Sequence, residues 1–391
     1  MKKLLILNGS HSDIPLIKAG KNLGYYVITS GNRPDLVGHR FADEYIGCDY
    51  SDKEKMLETF KDKGLDAIYT CANDFGAITA AYMAEKLGMH DGHDSYEATI
   101  TLHHKDLFKK FAVANGLHTP HAVGFNNVYD ALLYEPEKYP VMVKPIDLTG
   151  GKGVSKANNH EEYKNAVKAA VDRSPSKRIV VEPFILGTYH SFSTFIISGK
   201  VVAYFSDNEY SYKNPFLIST SAGPATGIDL VKDVLIEDAE KTAKVLNLCD
   251  GLFHCQYILS DGKPYIIEIT RRLPGDLYME PVRQATGIDW TYWAVRAACG
   301  LSCEEFPKNM PQTKLCGRHC VMGDKNGIVK DIIISDEIRD NIYDCFMWFH
   351  KGFEITNYMV DKLGILFLEY KDVEEMTDKV SRINELVKVV Y

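Results

Sequence analysis

The sequence predicts an α/β domain with a parallel sheet at the N-terminus, followed by α+β regions with antiparallel sheets. Over the first 100 residues, short apolar runs alternate with amphipathic stretches, and strands separated by helices pair in parallel through right-handed crossovers. Further along, apolar strands are joined by Gly-containing turns, which is typical of antiparallel hairpins. A chain of 391 residues is long enough for two or three domains. We therefore predict domains over 1–100, 101–300 and 301–391.

The predicted strands of the first domain are Leu4–Leu7, Tyr25–Thr29 and Ala67–Thr70. Their alternation with helices is typical of a Rossmann-like domain. A dinucleotide site would need the pattern Gly-x-Gly-x-x-Gly after the first strand. The loop from Asn8 to Ser12 has one glycine, so a dehydrogenase is excluded. The loop still lies where small anionic ligands often bind, and it is either part of a substrate site or an ordinary turn.

The last segment, 301–391, is predicted as a small α+β part. Apolar runs indicate strands near Leu315–Val321, Ile328–Ile334 and Ile365–Glu369. Helical spacing of apolar residues predicts one closing helix that begins at Val373 and includes Val387.

Composition and charge exclude several classes of function. Hydrophobic residues make up 45% and charged residues 25% of the chain, and 45 basic against 53 acidic residues give a net charge of −8. No Lys/Arg-rich run marks a nucleic-acid or anionic membrane surface, and no apolar run is long enough to span a bilayer. Nine cysteines without a disulfide spacing fit a reducing compartment, so we expect a cytoplasmic protein without nucleic-acid or membrane partners.

A glycine-rich stretch from Val143 to Val154 has the composition of a phosphate-binding loop. Lys144 ends a predicted strand, and backbone N–H groups of a glycine loop can close on phosphate oxygens without obstruction by Cβ atoms. The stretch lacks the Walker A pattern, so by itself it could also be a mobile surface hairpin. The candidate loop residues are Thr149, Gly150, Gly151 and Gly153.

A second motif is the hairpin predicted over residues 251–272. Glu268 and Thr270 share one face of its second strand. A three-residue turn with Gly262 in the left-handed region would put Gln256 opposite Ile266 and on that same face, whereas a two-residue turn would put it on the other face. One carboxylate with neutral oxygen ligands suits Mg²⁺ when nucleotide phosphates complete the shell. The alternative is that Glu268 is a solvated strand residue.

These two motifs, in this order, resemble the ATP-grasp superfamily, nearest to its carbamoyl-phosphate synthetase and biotin carboxylase branch. The resemblance covers about residues 1–300 and implies a Rossmann-like domain before an ATP-grasp fold with a mobile lid at about 118–185. It implies that Lys105 and Lys144 hold the nucleotide phosphates and that Thr149 to Gly153 form the flexible loop. It further implies an adenine-binding hinge and a ribose contact, which correspond to Glu182, Pro183, Phe184, Ile185 and His190.

The resemblance also implies a metal site. The family's metal triad, often Glu, Glu and Asn, corresponds to Gln256, Glu268 and Thr270, and the arginine of its Glu-x-Asn-x-Arg motif corresponds to Arg272. Thr270 is the larger departure, because a hydroxyl is shorter than an amide and reaches a metal less well.

The activity implied by the resemblance is an ATP-dependent carboxylate–amine ligase that forms an acylphosphate and releases ADP and phosphate. Arg272 and Lys144 would be catalytic, ATP and Mg²⁺ would be the cofactors, and a small carboxylate and a small amine would be the partners. A homodimer is an open alternative. The alternative activities are a kinase-like phosphotransferase and a nucleotide-binding regulator without turnover.

Overall fold

The computed structural model describes residues 1–148, 151–308 and 312–391. Thr149 and Gly150 of the predicted loop lie outside these ranges. Within them, no helix has the length and apolar character needed to cross a membrane.

The N-terminal region is a four-stranded parallel sheet in the order β3-β2-β1-β4. Its two central strands are almost fully buried because helices cover both faces. The predicted parallel arrangement is therefore confirmed. The elements are β1 (Lys3–Leu7), α1 (Ile14–Asn22), β2 (Tyr26–Ser30), β3 (Glu44–Tyr45), α2 (Lys53–Phe60), β4 (Ala67–Thr70) and α3 (Asp74–Lys86).

Two helices lead into a small antiparallel sheet with the order β5-β8-β6-β7, which we call the lid sheet. One amphipathic helix packs on it, and their apolar side chains form a core of their own around the fully buried Tyr163. The elements are α4 (Tyr96–His103), α5 (Lys105–Ala114), β5 (Val123–Phe125), α6 (Val128–Leu133), β6 (Val141–Pro145), β7 (Ser155–Ala157), α7 (His160–Arg173) and β8 (Ile179–Pro183).

The largest element is an eight-stranded antiparallel sheet with the order β13-β12-β9-β10-β11-β14-β19-β17. Helix α8 covers one face, and α9 and α10 connect the sheet to the N-terminal region. The elements up to residue 300 are β9 (Thr188–Ile197), β10 (Lys200–Tyr210), β11 (Thr220–Gly223), α8 (Ile228–Val245), β12 (Gly251–Ser260), β13 (Lys263–Thr270), α9 (Met279–Thr286) and α10 (Trp290–Ala298).

The C-terminal segment extends this sheet, since β14 pairs with β11 and then with β19. The domain boundary at residue 300 stays a prediction, and the sheet runs across it.

The predicted closing helix is wrong at its end, because α12 ends at Ser381 and Val387 begins a strand that pairs with β16. The elements are β14 (Leu315–Met322), β15 (Gly327–Ile328), β16 (Asp331–Ile334), α11 (Asp336–Arg339), β17 (Ile342–Met347), β18 (Glu354–Ile355), β19 (Lys362–Tyr370), α12 (Val373–Ser381), α13 (Ile383–Leu386) and β20 (Val387–Val390).

Candidate active site

A cavity of about 510 Å³ lies between the lid sheet, the polar face of the eight-stranded sheet and the loop after β1. This volume is in the range of small-molecule sites. Residues from all three segments of the chain line it. The N-terminal region contributes Ser10, His11 and Asp74, and the segments predicted to bind the nucleotide contribute Lys105, Lys144, Gly151, Glu182, Pro183, Phe184 and Ile185, with the neighbouring Tyr189. The strands β10, β12 and β13 and the residues after β13 contribute Glu209, His254, Gln256, Glu268, Thr270, Arg272 and Asp276. The C-terminal strands contribute Arg318 and Lys362.

The hairpin β12–β13 places its polar side chains on the cavity face through a two-residue turn combined with a β-bulge. Ser260 pairs with Lys263, so the turn has two residues, and Asp261 and Gly262 both have positive φ. The three-residue turn considered from the sequence is therefore wrong. A two-residue turn alone would move Gln256 to the opposite face.

A β-bulge restores the face. The register shifts between Gln256 and Tyr257, so that Tyr257 pairs with Ile266 whereas Gln256 pairs with Glu268. β13 has one extra residue at this point. Beyond the bulge, the side chains of β13 therefore point to the opposite face from the one that an unbroken register would give. His254 pairs with Thr270 in the same register, and all four polar side chains of these two pairs line the cavity.

The predicted metal ligands Gln256, Glu268 and Thr270 form a set of oxygen donors that fits Mg²⁺. The Nε2 of Gln256 donates to Glu209 at 2.6 Å, which leaves its amide oxygen for another partner. Thr270 is 3% exposed, and its hydroxyl has no hydrogen-bond partner within the described residues. Those residues contain no cluster of three or more His, Cys, Asp or Glu that could hold a metal, so nucleotide oxygens would have to complete the shell.

Glu209 on β10 is a fourth oxygen-bearing side chain beside this set, and the sequence analysis did not identify it. Burial, and next the nearby Asp207, raise the pKa of Glu209 to about 8. The alternation of side chains along β10 can be predicted from the sequence. The position of Glu209 beside Gln256 cannot, because β9 lies between β10 and β12 in the sheet.

Two lysines share one buried carboxylate at the lid side of the cavity, and we call Lys109, Lys144 and Glu182 the lysine cluster. Lys144 on β6 is hydrogen-bonded to Glu182 on β8, and Lys109 Nζ lies 3.3 Å from the same carboxylate. Burial alone would raise the pKa of Glu182, but the charges of Lys109 and Lys144 outweigh it and lower that pKa to about 2. Burial lowers the pKa of Lys109 to about 8. The cluster therefore carries two cations and one anion at neutral pH.

The other predicted phosphate-binding groups lie around this cluster. Lys105 Nζ donates to the carbonyl of Leu148 at 2.8 Å, immediately before the glycine loop. Gly151 lines the cavity with φ of +71°, and a Cβ there would lie 2.3 Å from Phe216. Gly153 also has a positive φ but lies against Pro145 and is not among the cavity-lining residues.

The structure separates His190 from the other predicted residues. His190 is buried, stacks on Tyr257 at 5.1 Å and bonds Thr188 through Nε2 at 2.6 Å. It pairs with Tyr257 across β12, and Tyr257 is on the strand face opposite to Gln256. The neighbouring Tyr189 lines the cavity instead. Glu182, Pro183, Phe184 and Ile185 do line it, although the Glu182 side chain is directed to the lysines.

Arg272 is held in place by the N-terminal domain. Its Nε and Nη2 donate to Asp74 at the start of α3, at 3.1 and 3.0 Å. Burial would raise the pKa of Asp74, but Arg272 and His103 keep it well below its usual range. The guanidinium is thus oriented at the edge of the cavity by a residue that the sequence did not indicate.

Comparison with known proteins identifies the fold. Residues 104–276 match the family model described as the ATP-grasp domain. The chain therefore contains an ATP-grasp domain. The carbamoyl phosphate synthase large chain of Thermoanaerobacter sp. (strain X514) is 25% identical over 307 residues, which are 76% of this chain and 28% of that protein. The chain thus spans little more than a quarter of that relative.

Two solved structures are similar to this chain over 100% of its length. One is the L-amino acid ligase from Bacillus licheniformis, with a TM-score of 0.84 and 20% identity over 99% of that chain. The other is the biotin carboxylase domain dimer of the Hydrogenobacter thermophilus 2-oxoglutarate carboxylase in complex with MgADP, ADP and bicarbonate. It has a TM-score of 0.79 and 19% identity over 90% of that chain. The predicted ATP-grasp fold is confirmed.

A second charged set in the cavity was missed by the sequence analysis, and we call Asp276, Arg318 and Lys362 the Asp276 cluster. Asp276 Oδ2 lies 2.6 Å from Lys362 Nζ and 3.6 Å from Arg318 Nη1. His11 contacts Asp276 at 3.9 Å and stacks on Trp348 at 4.7 Å. No sequence motif could have found this cluster, because its members come from a loop and two distant strands.

Proposed function

We propose that this chain is an ATP-dependent ligase that joins a carboxylate to an amine. The carboxylate oxygen attacks the γ-phosphorus of ATP, and ADP leaves. The amine then attacks the acyl carbon of the acylphosphate, phosphate leaves, and the amine releases a proton. The observation that carries this proposal is one cavity lined by Lys144 and Glu182 of the lysine cluster, by the oxygen-bearing face of β12–β13 and by Arg272, within an ATP-grasp fold.

The charges of the cavity suit phosphoryl transfer. A carboxylate and a triphosphate repel each other because both are anions. Catalysis therefore depends on positioning the two reactants and on neutralising their negative charge. Lys105 and Lys144 would bind the nucleotide phosphates, and the segment from Pro183 to Ile185 would contact the base. Arg272, fixed by Asp74, would bind the transferred phosphoryl group or the carboxylate.

Gln256, Glu268 and Thr270 would hold Mg²⁺. When bound, Mg²⁺ would neutralise phosphate oxygens and orient the γ-phosphoryl group. Glu268 supplies the formal charge of this set, whereas Gln256 is oriented by Glu209. The unpartnered Thr270 hydroxyl supports a ligand at that position.

The related proteins support the reaction class. They include a synthase, a ligase and a carboxylase domain, the last in complex with MgADP. A small-molecule acid and amine would be the partners, and a cytoplasmic homodimer is part of this proposal. The kinase-like reaction and the non-catalytic regulator remain the alternatives.

Release of ADP from Mg·ATP, measured over pairs of small carboxylates and amines, tests the proposal. A ligase requires both substrates and forms an amide, and hydroxylamine in place of the amine should trap the acylphosphate as a hydroxamate. A phosphorylated product formed without any amine would favour the kinase. Binding of Mg·ADP with no turnover for any pair would favour the regulator.

Lys144→Ala should weaken Mg·ADP binding by about 30-fold or more, because a cation facing the phosphates is removed. Lys164→Ala is the matched control, since Lys164 is exposed on α7 and does not line the cavity. Equal affinities of the two variants would contradict the assignment of Lys144.

A further inference from the structure

The Arg318 guanidinium is buried without a strong partner. The residue is 5% exposed, and its Nε has no hydrogen-bond partner within the described residues. Its closest polar contacts are the thiol of Cys320 at 3.5 Å and Asp276 at 3.6 Å, both through Nη1. The guanidinium carbon also lies 5.6 Å from the ring centre of Tyr278. A buried cation in this state is costly unless an anion completes its surroundings.

The carboxylate of Asp276, which lies beside Arg318, already has another cationic partner. Asp276 accepts a hydrogen bond of 2.6 Å from Lys362, so one carboxylate faces two cations. His11 adds no charge to this balance near neutral pH, because burial lowers its pKa. Two other acids face Arg318 from β10, Asp207 and Glu209. Tyr278 donates to Asp207 and Gln256 donates to Glu209, so neither supplies the missing contact to Nε.

The position of the cluster indicates what the anion belongs to. Beside it lie the loop after β1, with His11, and the residue directly after β17, Trp348, which stacks on that histidine. These elements lie outside the lid sheet and α5, which carry Lys144 and Lys105, the two lysines assigned to the nucleotide. Within the described part of the chain, no ion pair joins the lysine cluster to the Asp276 cluster.

We propose that Arg318 and Lys362 form a subsite for an anionic group of the substrate, a carboxylate or a phosphate, other than the carboxylate that is phosphorylated. This inference rests on the proposed ligase function and adds the class of substrate, which is a molecule with a second ionised group. Arg318 offers its free N–H groups in a planar fork, and this geometry matches both carboxylate and phosphate oxygens.

The first test is the stability of the full-length protein without ligands. Arg318→Met keeps most of the side-chain volume and removes the weakly paired charge, and Asp276 retains Lys362. We expect its thermal midpoint to equal or exceed that of the wild type. Arg283→Met is the matched control, because Arg283 forms a surface ion pair with Glu280. A marked loss of stability in Arg318→Met alone would show that Arg318 is a structural anchor and would overturn the subsite.

The second test measures anion binding with saturating Mg·ADP present, so that the nucleotide site is filled. Malonate, inorganic phosphate and the uncharged malonamide are titrated while thermal unfolding is followed. We expect malonate or phosphate, but not malonamide, to raise the midpoint of the wild type and of Arg283→Met. In Arg318→Met the concentration needed should rise about 30-fold or more. A response to malonate alone assigns a carboxylate, and a response to phosphate alone assigns a phosphate.

The proposal is overturned if neither anion stabilises the wild type, or if Arg318→Met responds as the wild type does. Arg318→Met should bind Mg·ADP normally, which separates the subsite from the nucleotide site. If anions bind but no substrate pair releases ADP, the subsite stands and the ligase function fails. If the wild type and Arg318→Met release ADP equally well with substrates that have no second ionised group, the ligase stands and the subsite fails.

Discussion

The lysine cluster and the Asp276 cluster have the same number of charges of each sign and different surroundings. Each has two cations around one carboxylate, with Glu182 in the lysine cluster and Asp276 in the other. Lys109 also donates to Thr119 Oγ1 at 2.8 Å and to the carbonyl of Ile266 at 3.1 Å, whereas the Nε of Arg318 has no partner within the described residues. The lysine cluster is thus held by the protein itself, and the Asp276 cluster requires a ligand to be complete.

The largest expected effect follows from breaking the lysine cluster. Glu182→Gln leaves Lys109 and Lys144 facing each other without an anion, and Glu182 has a side-chain exposure of only 3%. Removing one partner of a buried pair costs about 3–5 kcal/mol, so the free energy of unfolding should fall by that amount in denaturant titrations. Mg·ADP should restore part of it. A loss of less than about 1 kcal/mol would contradict the buried-pair interpretation.

The proposed metal site lies in the same cavity, and Glu268→Gln preserves the shape of the side chain and removes its charge. Loss of one catalytic electrostatic partner typically costs on the order of 10²–10³ in rate, and ADP release should fall by at least that factor at saturating Mg²⁺. Glu237→Gln, on the exposed side of α8, is the control. Near-normal turnover of Glu268→Gln would remove the metal assignment and favour the regulator.

Asp276→Asn breaks the second cluster in the way that Glu182→Gln breaks the first. Asp276 has a side-chain exposure of 20%, so we expect a smaller loss in the free energy of unfolding, about 2 kcal/mol. Two unopposed cations should also bind malonate or phosphate more tightly than in the wild type. The exposed Asp233→Asn on α8 should change neither measurement. Weaker anion binding in Asp276→Asn would contradict the charge balance described for this cluster.

The smallest effect is expected at Thr270, which is one neutral ligand among several. Thr270→Ala should reduce turnover by only a few-fold, and Thr270→Asn should lower the Mg²⁺ concentration needed for half-maximal activity, because an amide oxygen reaches further than a hydroxyl. Activity measured against Mg²⁺ concentration separates the two variants. An unchanged Mg²⁺ dependence in both would exclude Thr270 from the metal site.

The fold class was accessible from the sequence because local periodicity carries it. The parallel strands around Leu4–Leu7 and Ala67–Thr70 are buried on both faces and appear as short apolar runs. The glycine loop and the Glu268 strand were recognisable because their chemistry is contiguous in the chain. Val387 was misassigned, since its spacing from Val380 fits a helix, but the chain leaves that helix and pairs with β16.

The site was only partly accessible. Lys144, Glu182, Gln256, Glu268, Thr270 and Arg272 were identified from the sequence, and all line one cavity. His190 does not line it, because successive side chains of a strand point to opposite faces and the neighbouring Tyr189 occupies the cavity face. The facing of Gln256 depended on a bulge that no sequence pattern announced.

The sequence by itself determined the main strands and helices, the ATP-grasp resemblance and the candidate residues of the proposed nucleotide site, because each depends on contiguous segments or on local periodicity. Only the tertiary structure brought together the proposed substrate subsite. Asp276, Arg318 and Lys362 belong to segments far apart in the chain, and they meet because β14 and β19 extend the central sheet. Long-range strand pairing brings such residues together, and the local pattern of side chains does not encode it.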